Sequence, residues 1–378
     1  MRGHVRKRGK KWSVVLDVGT GLRGKRRQKW HSGFATKREA EAALTTLLGK
    51  LQNNSYVEPT RLTLGGFLTA EWLPAVQRSV RPLTHAGYER SVRIHIEPHL
   101  GDLLLQQVTP ARLNGLYASL LDHGRADGQG LSPGSVRQVH LALHGALAAA
   151  VRWQYVSRNA AALADPPRAA PPIMRVWTAD ELGRFLAAIQ DNRLYAMFLV
   201  LAATGLRRGE ALGARWEDLD LQGARWQVRR TLLPVKGGVM EGTPKTARGQ
   251  RSVALDPGTV RALRAWRKQQ LEERMAWGAA WTDSGRVFTR EDGTDLRPTR
   301  VSEQFDALVK RSGLPRIRLH DLRHGHCTLA LGAGVHPKVV QERLGHASVA
   351  FTLGRYAHVV PAMQEDAAET VARLVGLD

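Results

Sequence analysis

Residues 319–358 read LHDLRHGHCTLALGAGVHPKVVQERLGHASVAFTLGRYAH, and the rest of the chain is best read outward from them. The pattern predicts helices over Leu322–Leu331, Pro337–Leu344 and Val349–Tyr356. His320, Arg323, His346 and Tyr356 punctuate it, the tyrosine ten residues after the second histidine. Two further short segments stand out upstream: TGLRRGE at 204–210 and TPKT at 243–246. Together the segments supply two arginines (Arg207, Arg323), one lysine (Lys245), two histidines and one tyrosine.

Such a set suits chemistry on a phosphodiester. Charge builds on the non-bridging oxygens as a nucleophile attacks phosphorus, and two guanidinium forks can bind those oxygens. A tyrosine hydroxyl can attack and form a covalent phosphotyrosine. Its ordinary pKa is about 10, so it needs a neighbour to accept its proton, for which His320 is a candidate. A lysine can protonate the leaving 5′ oxygen. No metal or other cofactor is called for, and the segments lack the acidic cluster that holds Mg²⁺ in nucleases.

Charge points to the same kind of substrate. The 378 residues include 56 Lys+Arg against 34 Asp+Glu, a formal net charge of +22. Residues 1–29 alone hold eleven cations (Arg2, Arg6, Lys7, Arg8, Lys10, Lys11, Arg23, Lys25, Arg26, Arg27 and Lys29) against one acid, Asp17. A polyanionic partner is expected, nucleic acid first. A hydrophobic fraction of 43% is enough to build cores, which excludes a wholly disordered basic chain. No apolar run approaches the roughly 18–20 residues needed to cross a bilayer, and no apolar signal core follows the basic start. One cysteine, Cys327, excludes an intrachain disulfide and points to a reducing, cytoplasmic setting.

The chain divides by composition into three parts. Residues 1–57 read as a small sheet plus a helix, with strands at 12–18 and 25–34 and a helix capped by Thr36 with Glu39 three residues on. A polar linker, NNSYVEPTR at 53–61, leads to a four-helix domain over 62–164, two of whose helices open with Thr109-Pro110 and Ser132-Pro133. The run DPPRAAPP at 165–172 is the clearest boundary. A mixed domain over 174–378 follows, opening on a Thr178/Glu181 capping box. It has a β-rich middle (225–232, a turn at Gly237-Gly238, 250–255) and ends in a helix over Pro361–Leu374. The fold class is therefore multidomain and mainly α with small β-sheets.

The ordered segments resemble the signature of the tyrosine recombinases, the phage-integrase family, from Thr204 to His358. The resemblance implies that Arg207 is the first catalytic arginine, with Glu210 as its acidic support. Lys245 matches the family's β-turn lysine, His320 and Arg323 its HxxR box, His346 its LGH box and Tyr356 its nucleophile. It further implies a SAM-like core-binding domain at 62–164, an arm-site DNA-binding domain at 1–57, and a C-shaped clamp on duplex DNA. Strand exchange in a homotetramer on core-type and arm-type attachment sites, through 3′-phosphotyrosine, is also implied, in a bacterial host. An excisionase or a DNA-bending protein is a further candidate partner; a membrane is not. The integrated DNA would belong to a phage or another mobile element.

Other readings compete. A type IB topoisomerase shares the same catalytic set, and a silent sequence-specific DNA-binding protein shares the charge. Arg208 reads as a solvated or phosphate-contacting neighbour of Arg207. His320, His324 and His326 invite a metal reading, as do His140 and His144, but His326 lies off the face shared by positions four apart.

Overall fold

Three antiparallel strands begin the chain in the order β1 (Gly3–Arg8), β2 (Lys11–Thr20), β3 (Arg26–Phe34). The structure, a computed structural model, describes residues 3–20, 26–53, 56–168, 175–235, 237–244, 249–355 and 372–376. It adds β1 to the two strands expected from the pattern. Arg2, Arg23, Lys25, Lys245, Tyr356 and most of the expected terminal helix lie outside the described residues, as does the side chain of Arg26.

Register assigns the faces of this sheet. Gly3 pairs with Leu16 and Leu16 with Lys29, whereas His4 pairs with Val15 and Val15 with Trp30. A Cβ at Gly3 would lie 2.6 Å from Leu44 of the following helix α1 (Lys37–Gln52), so the face carrying Gly3, Leu16 and Lys29 is the one the helix covers. His4, Arg6, Gln28, Trp30 and Ser32 are exposed on the other. Thr36 Oγ1 accepts from Glu39 N at 3.2 Å, and Glu39 returns a bond to Ala35 N at 2.9 Å.

The linker is tied down on both sides. Glu58 takes Arg27 at 2.7 Å and Lys29 at 2.8 Å, Tyr56 meets His31 at 3.2 Å, and Gln106 donates to Glu58 O at 2.7 Å. Four helical segments then share one core. The first runs from α2 (Leu64–Gly66) through π-helical turns at Phe67–Trp72 into α3 (Leu73–Gln77). The second joins α4 (Pro82–Ser91) through Val92–Ile96 to α5 (Glu97–Leu100). The others are α6 (Pro110–His123) and α7 (Pro133–Arg152), where Thr109 and Ser132 cap the helix ahead of a proline. The division of the chain into two compact units, Met1–Pro171 and Pro172–Asp378, falls in the proline run; the expected break between 57 and 62 lies inside the first unit.

In the second unit α8 (Ala179–Ala188) starts on the Thr178/Glu181 box, with reciprocal bonds of 3.1 and 2.9 Å. Helices α9 (Tyr195–Thr204) and α10 (Arg208–Gly213) follow. Strands β4 (Leu219–Asp220), β5 (Arg225–Val228) and β8 (Arg251–Ala254) form one sheet, and β6 (Thr231–Val235) and β7 (Gly238–Gly242) form a separate hairpin. The expected single strand over 225–232 is thus broken, because Arg230 bonds Glu217 at 2.6 Å and Asp218 at 2.5 Å and turns the chain between sheets. Helices α11 (Pro257–Trp277), α12 (Pro298–Arg311), α13 (Asp321–Gly332), α14 (Pro337–Leu344) and α15 (Val349–Arg355) complete the unit.

The core of this unit centres on Phe305, fully buried with ring centroids 5.4 Å from Phe185, 5.8 Å from Phe198 and 6.0 Å from Trp177. Phe305→Ala should destabilise the protein by about 3–5 kcal/mol in urea unfolding. A loss under about 1 kcal/mol would show that the site collapses around the missing ring.

Candidate active site

Helix α9 is apolar on nearly every side, which buries it and fixes where it ends. It ends at Gly205, left-handed at φ +65°, where a Cβ would lie 2.4 Å from Leu344 and 2.9 Å from His326. That turn delivers Arg207 to the start of α10. Arg207 donates from its backbone N to Glu210 Oε2 (3.0 Å) and from its guanidinium to Oε1 (2.7 Å). Glu210 is 3% exposed, whereas the Arg207 side chain is 42% exposed. The carboxylate belongs to the interior and the cation it holds faces outward.

A second arginine shares that carboxylate. Arg251, at the start of β8, donates to Glu210 Oε2 at 2.9 Å and Oε1 at 3.3 Å. Its Nε donates to Arg343 O at 2.6 Å. Burial works to raise the Glu210 pKa, but the bond and charge of Arg251, followed by the charge of Arg207, outweigh it and hold the carboxyl below its ordinary value.

Arg323 closes the arrangement from the other side. Only 3% exposed, it donates to Gly205 O and Leu344 O, each at 2.6 Å. One guanidinium therefore joins the TGLRRGE turn to the LGH turn. Beyond Leu344, Gly345 is left-handed at φ +64°, and His346 N returns to Gln341 O at 3.0 Å. The His346 ring meets Thr352 Oγ1 of α15 through Nδ1 at 2.9 Å. His320 precedes α13, its ring edge-on to His324 at 5.0 Å.

The electrostatics show how close these groups lie. Burial, then the charges of Arg323 and Arg207, push the His346 pKa down to about 3. Burial, then His324 and Arg323, with a smaller push from Arg207, lower His320 to about 4. Both rings are neutral at pH 7 and stand in the field of the same two guanidiniums.

The structure brings together Arg207, Glu210, His320, Arg323 and His346. Arg208 is not a solvated neighbour: it donates to Pro298 O (2.8 Å) and Ser302 Oγ (2.5 Å) and pins α10 to α12. His326 is committed to Ala202 O through Nδ1 (3.1 Å) and to Arg343 through Nε2 (3.3 Å), so it cannot complete a metal site with its neighbours. His140 takes the Tyr117 hydroxyl at 2.9 Å. Among the described residues no group of three or more His, Cys, Asp or Glu could hold a metal ion. Arg251 and Arg343 were not singled out by sequence reasoning. Arg251 stands six residues after Lys245, and only the fold reveals its partners. At the N-terminus Arg6, Lys7, Arg8, Lys10 and Lys11 are exposed, while Arg27 and Lys29 are paired with Glu58.

Residues 175–363 match the model of the phage integrase family. The chain belongs to that family. Residues 4–51 match an arm DNA-binding domain and 66–121 the SAM-like N-terminal domain of phage integrases. A XerC-like tyrosine recombinase of Caldanaerobacter subterraneus subsp. tengcongensis is 27% identical, over 97% of each chain. The ICEBs1 integrase of Bacillus subtilis is 28% identical over 76% of this chain and 78% of its own length. Among solved structures, the Tn1549 transposon integrase in complex with transposon right-end DNA aligns with a TM-score of 0.67 at 22% identity, over 81% of this chain and 99% of its own. A lambda integrase dimer bound to a core site aligns at 0.55 and 16% identity, over 93% and 94%. Among the described residues no helix is long and apolar enough to cross a membrane.

The lowered histidines make stability depend on pH. Burial, with Arg343, holds His326 at about 4 against an ordinary 6.5, as burial holds His320 at about 4. The unfolded chain therefore binds more protons than the folded one between about 6.5 and about 4, and stability falls as pH drops through that window. Tm should decrease from pH 7 to pH 4.5, and His326→Gln should flatten part of the decrease. A flat wild-type profile would contradict the assignment of neutral, buried rings.

Proposed function

We propose that this phage-integrase-family protein is a site-specific DNA recombinase that cuts and rejoins strands through a 3′-phosphotyrosine at Tyr356. The convergence of Arg207, Arg323 and two neutral histidines on one locus, held by a buried carboxylate, carries this reading. Arg207 and Arg323 bind the non-bridging oxygens of the scissile phosphate and stabilise the charge that builds there. In the tautomer that carries its proton on Nε2, the neutral His346 ring donates to a phosphate oxygen.

Tyr356 Oη attacks phosphorus as its proton leaves, and the P–O5′ bond breaks. Neutral His320 has a lone pair to accept that proton, and the arriving phosphate charge raises its basicity. Lys245 protonates the departing 5′ oxygen, leaving a free 5′-hydroxyl. Attack by the partner strand's 5′-hydroxyl reverses these steps and releases Tyr356. The bond energy stays in the covalent intermediate, so no high-energy cofactor enters.

Residues 1–57 serve in this scheme as an arm-site reader, 62–164 as a core-binding domain and 174–378 as the catalytic domain. The open face of the N-terminal sheet, with Arg6 and neighbouring cations, supplies salt-sensitive phosphate contacts. A lambda integrase has been solved as a tetramer on a Holliday junction, and strand exchange here is assigned to a homotetramer of the same kind, acting on bacterial chromosomal DNA for a phage or other mobile element. An excisionase or bending protein would set direction.

The attachment site is obtained by sequencing the junctions formed in a host carrying the gene. On a nicked copy of that site the wild-type chain should form a covalent protein–DNA adduct and Tyr356→Phe none. An adduct with Tyr356→Phe contradicts the nucleophile. Relaxation of any supercoiled plasmid without exchange between sites indicates a topoisomerase instead.

A further inference from the structure

One buried cation next to the locus has no part in the steps above. Arg251 spends every side-chain nitrogen on the protein: Nε on Arg343 O (2.6 Å), Nη1 on Gly249 O (3.1 Å) and Glu210 Oε1 (3.3 Å), and Nη2 on Glu210 Oε2 (2.9 Å). Its side chain is 7% exposed, against 42% for that of Arg207. Its backbone is fixed by the β5–β8 ladder, where it pairs with Val228.

We propose that Arg251 is a positioning residue for strand cleavage, setting the Arg207 guanidinium relative to Arg323 and His346. Resting on the recombinase reading, the proposal deepens it. Arg207 reaches Glu210 with a single guanidinium nitrogen, a contact that fixes direction poorly. Arg251 grips both oxygens of the same carboxylate, and a two-pronged contact fixes its plane. The other end of the bracket is Arg343 O, one residue before Leu344, whose carbonyl takes Arg323. Arg323 in turn holds Gly205 O, two residues before Arg207. Glu210, Arg251, the 343–344 carbonyls, Arg323 and the Gly205 turn thus form a closed circuit around the phosphate-binding groups. Arg251 is the member that spans from Glu210 to the end of α14.

A structural counter-charge would also hold Glu210 in place, and a mutant cycle separates the two roles. Cleavage of the nicked attachment site is measured for Arg251→Met, Arg251→Lys, Arg207→Ala and Arg207→Ala/Arg251→Met, alongside site affinity and Tm. Misplacement of a catalytic group by about 1 Å costs about 100-fold. Arg251→Met should therefore slow cleavage about 10- to 100-fold, with affinity for the site within about twofold of wild type. Lysine should restore part of the rate. The double variant should be no slower than Arg207→Ala, because the residue acts through Arg207. Wild-type cleavage by Arg251→Met, or a loss that multiplies that of Arg207→Ala, overturns the proposal. If Arg251→Met fails to fold, Arg251→Lys decides: it keeps the charge but loses the fork, and wild-type cleavage there overturns the proposal. Failure of the wild-type chain to form any adduct counts against the recombinase reading instead.

Discussion

The catalytic unit depends on a buried negative charge that two arginines share. A carboxylate taken out of water is tolerated only when paired and hydrogen-bonded, and removing one partner of such a pair costs about 3–5 kcal/mol. Glu210 meets that condition with Arg207 and Arg251. Its interior position ties one guanidinium to the core and leaves the other facing outward. The local chain conformations serve the same end: Gly205 and Gly345, both left-handed, stop α9 and α14 so that Gly205 O and Leu344 O face Arg323. A site that must bind a phosphate with fixed donors is assembled here from helix ends and charge pairs, with little movement left to the groups that would contact DNA.

Much of this was legible in the sequence because the deciding signals are local. The TGLRRGE turn needs a glycine at its left-handed position, and its Arg207–Glu210 pair lies three residues apart. The Thr178/Glu181 box and the Thr109-Pro110 and Ser132-Pro133 helix starts are likewise written in adjacent residues, and each appears as a helix start. The order of the boxes then pointed to the family whose model matches residues 175–363.

What escaped the sequence is long-range. Arg251 is 41 residues from Glu210 and 92 from Arg343, and nothing in GQRSV distinguishes it from a solvated strand cation. Arg208 looks exposed until α12 arrives from 90 residues away. Strand β1 has a mainly basic sequence with one β-branched residue, and it is a strand because β2 offers it an edge. Arg27 and Lys29 look like the DNA-facing cations around them, yet alternation puts Lys29 on the helix-covered face, and Glu58 from the linker pairs with both. Among the described N-terminal cations, Arg6, Lys7, Arg8, Lys10 and Lys11 are therefore exposed, while Arg27 and Lys29 share Glu58 beside the linker.

The shared carboxylate is tested most directly by Glu210→Gln, which keeps the shape and removes the charge. An amide offers one acceptor oxygen to two guanidiniums and turns its NH₂ toward the other. Single-turnover cleavage of the nicked attachment site should then fall about 10- to 100-fold, while site affinity stays within about twofold of wild type. Cleavage at the wild-type rate by a folded Glu210→Gln protein would contradict the account.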